Sequence, residues 1–245
     1  MASITKRSVT VNGIMIIYSL ERKAVKNINL RVRADGSVYV SAPRFAAVSL
    51  IDGFVQEKAD FIHRAQARMA VKREAEQKQR SMQYKNGDCV YILGHALPIE
   101  VIRGSRNSIV YAAEAIRMQV VSLDDVALRQ KLVDKLLDKL CQQLFQEVLL
   151  EQYALVKPFG APFPALRMRN MKSRWGSCLV QKQIITMNKK LIHMPRACVE
   201  QVMLHELCHF FEANHSPRFY AWLDKLMPDW RERRQLLRDL SAKII

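Results

Sequence analysis

Apolar and polar residues alternate over residues 3–42 with a period of two, as in strands that have one dry face. Thr10-Val11 leads to Asn12-Gly13, and Ile14-Met15-Ile16-Ile17-Tyr18 follows. Ile28-Asn29-Leu30-Arg31-Val32 leads to Asp35-Gly36 and then to Val38-Tyr39-Val40. Asn-Gly and Asp-Gly between such runs favour tight hairpin turns, whose central positions need positive φ. The pattern predicts a small antiparallel sheet closed by Ala42-Pro43.

The period then changes. Val48, Ile51, Phe54-Val55, Phe61-Ile62, Ala65 and Met69 fall at helical spacing and predict one helix over 46–80. Its last third loses the apolar stripe and reads as a solvated extension. Short strands follow at 88–93, 97–102, 108–112 and 115–121, punctuated by Asn86-Gly87 and Leu93-Gly94. Leu128, Leu132, Leu136, Leu140, Leu144 and Val148 recur every four residues and predict a packing helix over 124–153.

After a Pro/Gly-rich linker, Arg and Met alternate over 166–171, Trp175-Gly176-Ser177 reads as a turn, and 183–188 as the returning strand. Residues 195–214 are apolar nearly all round, so the helix they predict is a buried one. It opens at Pro195 and stops at Asn214, where a left-handed residue would turn the chain back. Ser216-Pro217 starts a further helix, Pro228 breaks it, and a last helix runs from Trp230 to about Ala242. Arg231, Arg233, Arg234 and Arg238 read there mostly as a solvated face, with phosphate contact as the alternative. No internal repeat is evident. The predicted class is α+β: an N-terminal β-rich region over 1–122 with one long helix, and a helical region with a short sheet over 123–245.

The buried helix contains His205-Glu206-Leu207-Cys208-His209. Two histidines four apart project from one helix face, where a single metal ion can take a nitrogen from each. Glu206 lies on the shoulder of that face, placed to take a proton from water as a general base. His215, just past the helix end, is the third ligand candidate; Glu212 is its rival and a candidate for holding a ligand imidazole in place. Core histidines without a metal are the simpler alternative, but buried imidazoles lacking partners are costly. Three of the six histidines also fall within eleven residues, with the acid where hydrolysis needs it. The reading is one zinc ion on His205, His209 and His215.

Charge adds a partner question. The chain carries a formal +16, and residues 157–199 hold nine Lys/Arg and no acid. A one-sign approach to an active site concentrates anions, so nucleic acid or another polyanion is a possible partner. No apolar run reaches the ~20 residues of a membrane span, the first residues carry no signal-peptide pattern, and five scattered cysteines form no CxxC pair. Together these lead us to expect a soluble, cytoplasmic protein with reduced thiols.

Arg169, Lys172-Ser173-Arg174-Trp175-Gly176-Ser177-Cys178, Asn188, Leu191, Pro195, His205-Glu206-Leu207-Cys208-His209, Asn214-His215-Ser216 and Phe219 together resemble the YgjP-like zinc metallopeptidases. The N-terminal hairpins are similar too, so the resemblance spans nearly the whole chain. It implies three histidine ligands, Glu206 as catalytic base, and a protein or peptide substrate. The family is similar to SprT-like proteases, some of which act on protein crosslinked to DNA. In zincins the edge strand before the active-site helix aligns an extended peptide, a role that would fall to 183–188. Arg174, Trp175, Ser177 and Asn188 are then candidates for meeting substrate, with Arg174 foremost for a developing oxyanion. Two other readings remain open: a metal-dependent phosphohydrolase of nucleotides on the same site, and a nucleic-acid-binding protein with structural zinc.

Overall fold

The computed structural model describes residues 4–244, which divide into two compact units, Met1–Lys78 and Gln79–Ile245. In the first unit, β1 (Ile4–Val11) and β2 (Ile14–Lys23) form a hairpin. Asn12 (φ 50°) and Gly13 (φ 79°) supply its left-handed turn. β3 (Asn29–Val32) and β4 (Val38–Pro43) form a second hairpin. The sheet order is β1-β2-β4-β3, with β2 and β4 parallel. The sheet is thus mixed rather than antiparallel throughout. Turn residues specify pairing inside each hairpin; the join between hairpins is set by the two most apolar strands, whose Tyr18, Leu20, Val38, Val40 and Ala42 are buried.

The long helix expected over 46–80 is two helices, α1 (Val48–Glu57) and α2 (Ala59–Arg80). Lys58 alone leaves helical geometry (φ −91°, ψ 10°), while hydrogen bonds from Lys58 N to Phe54 O and from Ile62 N to Lys58 O continue around it. Ile51, Val55 and Ile62 cover the sheet.

The second unit begins with β5 (Cys89–Ile92), β6 (His95–Arg103), β7 (Ser108–Tyr111) and β8 (Ile116–Val120). Their order is β5-β6-β8-β7 with β6 and β8 parallel, the arrangement of the first sheet again. That topological repeat has no counterpart in sequence self-similarity. α3 (Val126–Val156) is capped by Asp125, whose carboxylate accepts from Leu128 N at 2.9 Å. Val133 and Leu136 in its first half pack on this sheet. Cys141, Phe145, Val148 and Leu149 in its second half join the core beneath the histidine helix. The β5–β6 turn also donates Leu93 N and Gly94 N to Ile192 O and His193 O. The division expected at 122/123 therefore falls inside the second unit, since one helix serves both cores.

β9 (Ala165–Arg169), β10 (Gly176–Leu179) and β11 (Ile184–Asn188) form a third sheet in the order β10-β11-β9, with β9 parallel to β11. Gly176 and Ser177 belong to a strand, not to the turn their composition suggested. All five residues of β11 are buried. β11 is central, so the edge-strand role expected of 183–188 cannot fall to it; β10 and β9 are the edges, and β10 is the one that borders the Glu206 carboxyl. The histidine helix is α4 (Arg196–Cys208), followed by α5 (Pro217–Leu226) and α6 (Trp230–Ile244).

Candidate metal centre

Arg196 opens α4 and binds three carboxylates, Glu147 and Glu151 on α3 and Glu200 one turn on, at 2.9, 2.6 and 3.0 Å. Glu200 also holds Arg233 of α6 at 2.5 Å. These pairs, with a core of Val199, Met203, Leu204 and Leu207, fix the helix that carries His205 and Glu206.

α4 stops at Cys208, well before Asn214. Phe210 N and Phe211 N bond to Leu207 O and Cys208 O, tightening the last turn in the three-residue manner. Asn214 is not among the described residues with positive φ, so the expected left-handed turn is absent. The tightening has a consequence for chemistry. It brings the backbone carbonyl of Glu212 to 3.1 Å from His209 Nδ1. That carbonyl accepts a hydrogen bond from Nδ1–H, which leaves the Nε2 lone pair free for a metal. Glu212 thus orients a candidate ligand, through its main chain rather than its carboxylate.

His215 is set by the start of α5. Ser216 caps that helix, its Oγ accepting from Phe219 N at 3.3 Å, with Pro217 at the first position. The cap aims the preceding imidazole back at α4: His215 Nε2 lies 2.9 Å from His205 Nε2. One ligand nitrogen from each of His205, His209 and His215 lies within 4.8 Å of the others. Two nitrogens on one tetrahedral zinc sit about 3.3 Å apart, so the cluster fits a single ion after small side-chain shifts. No cysteine or carboxylate joins this group among the described residues. Cys208 faces the core, and burial pushes its thiol up to about 12. The group thus offers three nitrogens to an ion, with no fourth protein ligand among the described residues.

The floor of the cluster is Phe219. It is fully buried, and its ring centroid lies 4.8, 4.7 and 4.8 Å from those of His205, His209 and His215. Burial, aided by the neighbouring imidazoles and Arg234, pulls His205 down to about 3. Burial also lowers His209. Both are therefore neutral, as ligands must be.

Above the cluster opens a cavity of about 560 Å³ lined by Arg174, Trp175, Gly176, Ser177, Cys178, Glu206, the three histidines, Arg234 and Leu237, among others. Glu206 is 5% exposed; burial pushes its carboxyl up to about 8, opposed by the charge of Arg174. Gly176 on β10 lies against it, where any Cβ would meet the carboxylate. Cys178 is held at about 12 by burial and by Glu206.

Of the four substrate-contact candidates, Arg174, Trp175 and Ser177 line this cavity. Asn188 does not. It is buried, and its amide donates to Met171 O at 3.0 Å and Arg174 O at 2.9 Å, while its oxygen accepts from Met171 N and Lys190 N. It positions the loop that carries Arg174. Sequence reasoning passed over Gly176, Phe219 and Arg234 as site residues. Phe219 is four residues beyond His215, and Arg234 sits between Trp230 and Leu237 at helical spacing, so helical spacing from neighbours already singled out marks both.

Among the described residues no helix is long and apolar enough to cross a membrane. No curated protein matches the chain. Among solved structures, the metallopeptidase zymogen abylysin of Pyrococcus abyssi is 17% identical, with 41% of this chain and 99% of that one covered and a TM-score of 0.36. The zymogen of jannalysin from Methanocaldococcus jannaschii is 19% identical, with 41% and 90% covered and a TM-score of 0.35. The model of the YgjP-like metallopeptidase domain matches residues 26–240. With most of its length so matched, and a histidine cluster that could hold a metal ion, the chain belongs to the YgjP-like family and is a metallopeptidase.

Proposed function

We propose that the protein is a zinc peptidase in which His205, His209 and His215 hold one ion and Glu206 is the general base. The observation that carries this reading is the pairing of a three-nitrogen cluster with a buried carboxyl on the same cavity wall. Zinc held there supplies Lewis acidity toward a substrate carbonyl and toward water. Glu206 takes the proton of the attacking water on a carboxylate oxygen and returns it to the leaving amine nitrogen. The burial that raises its basicity favours the step in which it takes the proton. Arg174, across from Glu206, steadies negative charge on the carbonyl oxygen. The free edge of β10 offers backbone groups to an extended peptide, which would lie over Gly176–Leu179. The free thiols fit a reducing, cytoplasmic setting.

The experiment is cleavage of unfolded protein and peptides by the zinc-loaded enzyme beside Glu206→Gln. Turnover lost in a variant that keeps its zinc supports the assignment; equal turnover rejects Glu206 as base. A second reading is favoured by one observation: Arg174 and Arg234 line the cavity, and Glu206 is the one acid among its lining residues. That charge suits a nucleoside triphosphate, and the same panel should include one, along with single-stranded DNA as a candidate activator. Phosphate release abolished by Glu206→Gln would establish phosphohydrolysis.

A further inference from the structure

α6 is amphipathic, and its buried stripe runs through Trp230, Arg234 and Leu237 at spacings of four and three. Trp230 is 4% exposed and Leu237 is 3% exposed, so an arginine stands where the pattern calls for a leucine. Its guanidinium lies 5.9 Å from the centre of the Trp230 ring and its side chain lines the catalytic cavity.

Three other arginines of α4 and α6 are neutralised. Arg231 binds Asp224, Arg233 binds Asp229 and Glu200, and Arg196 binds three glutamates. Arg234 forms no ion pair or hydrogen bond among the described residues. Holding a half-buried guanidinium without a carboxylate is costly. A leucine would complete the stripe at no such cost, so the charge has a use that the fold does not explain. Arg174 faces the same space; its charge acts on Glu206 without a close ion pair among the described residues, and a divalent ion on the histidines would make the cavity more positive still.

We propose that Arg234 is a specificity-determining residue that pairs with an anionic group of the substrate, seated in the cavity beside the metal centre. Resting on the peptidase reading, this group is a carboxylate, from an acidic side chain near the scissile bond or from the peptide C-terminus. A guanidinium binds either through two parallel hydrogen bonds. A nucleotide phosphate carries the same chemistry, so the test includes it.

The test uses the zinc-loaded full chain and matched fluorescent peptides carrying Glu, Gln or Lys at each position flanking the scissile bond, with free or amidated C-termini. Wild type should prefer the Glu or free-carboxylate peptide by about 10-fold or more in kcat/KM. Arg234→Leu should bring that ratio near one, and Arg234→Glu should turn the preference toward Lys. Loss of preference on Glu→Gln replacement identifies a side chain; loss on amidation identifies the C-terminus. A wild type blind to charge, or an Arg234→Leu variant slowed equally on every peptide, overturns the proposal.

Binding separates this from the peptidase reading. Fluorescence anisotropy of the same peptides on zinc-loaded Glu206→Gln needs no turnover. A charge preference there that Arg234→Leu removes sustains the proposal even if wild type cleaves no peptide; equal binding of Glu and Gln peptides overturns it. Should a nucleoside triphosphate be the compound turned over, with kcat/KM lost in Arg234→Leu, the anion site stands and the peptidase reading falls.

Discussion

A methyl group on Gly176 would lie 2.5 Å from Oε1 of Glu206 and 2.7 Å from its Cγ. The edge strand and the Glu206 carboxyl are thus in contact with no room between them, and the strand backbone itself forms one wall of the Glu206 site. Only the absence of a side chain at 176 lets Glu206 keep its rotamer.

Gly176→Ala should therefore displace the carboxylate while leaving the histidines alone. A shift of about 1 Å in a catalytic group costs on the order of 100-fold in rate. Steady-state kinetics with zinc content measured in parallel checks this: kcat/KM should fall by about that factor at full metal occupancy. Undiminished activity would mean that Glu206 moves freely and that the wall does not hold it.

Phe219 offers a second test, since one buried ring touches all three imidazoles. Phe219→Ala would leave a cavity under the cluster and cost about 3–5 kcal/mol of stability. Phe219→Leu is the more useful variant, because it keeps most of the volume and loses the flat support. Zinc affinity should weaken by about 10-fold or more, as with other groups that orient metal ligands. Competition with a chromogenic chelator measures this, and an unchanged affinity would reduce Phe219 to core packing.

These residues also mark where the sequence was readable. Two histidines and an acid on one helix are legible because a helix fixes its own side-chain directions. The hairpins were equally plain, since Asn12-Gly13 and Asp35-Gly36 carry their turn in two residues. Contacts between distant segments were not. Gly176 has a catalytic meaning only once β10 lies beside α4, and the parallel pairs β2–β4 and β6–β8 depend on hairpins choosing each other. Glu212 reads from its spacing as a rival ligand or a support for a ligand imidazole; the atom that meets His209 is its carbonyl, because α4 stops at Cys208 and tightens. Arg234 reads with Arg231, Arg233 and Arg238 as part of a solvated face, although its spacing from Trp230 and Leu237 places it on the half-buried one.

Asn188 shows how a polar core residue acts at a distance. Its amide group satisfies two carbonyls of the 171–174 loop. Asn188→Asp has nearly the same shape but removes both donors and sets a carboxylate against those carbonyls. An unsatisfied buried group costs about 1–3 kcal/mol, and a charged one more. The thermal midpoint should drop, KM should rise as Arg174 loses its placement, and zinc should remain bound. A variant with normal KM and stability would show the loop to be held by other contacts.

The last prediction concerns the first unit, where Asp52 on α1 binds Arg7 at 3.0 Å and accepts from the Tyr18 hydroxyl. Hydrogen bonding from Arg7 holds the Asp52 carboxyl below its usual range, and burial pushes Tyr18 up to about 12. The two groups act at opposite ends of the pH scale. A depressed carboxyl contributes stability that is complete above its unfolded value of about 3.9 and is lost as pH falls through the folded value. A raised phenol contributes stability that is complete below about 10 and is lost as pH rises toward 12. Asp52→Asn should remove the acid-side loss and lower stability at neutral pH, so that wild type and variant converge in acid. Hydrogen exchange at the Ile51 and Val55 amides in the full chain, followed from neutral pH downward, reads this unit separately from the other. Curves that stay parallel in acid would show that the Asp52 pair adds nothing to the stability of the sheet it joins.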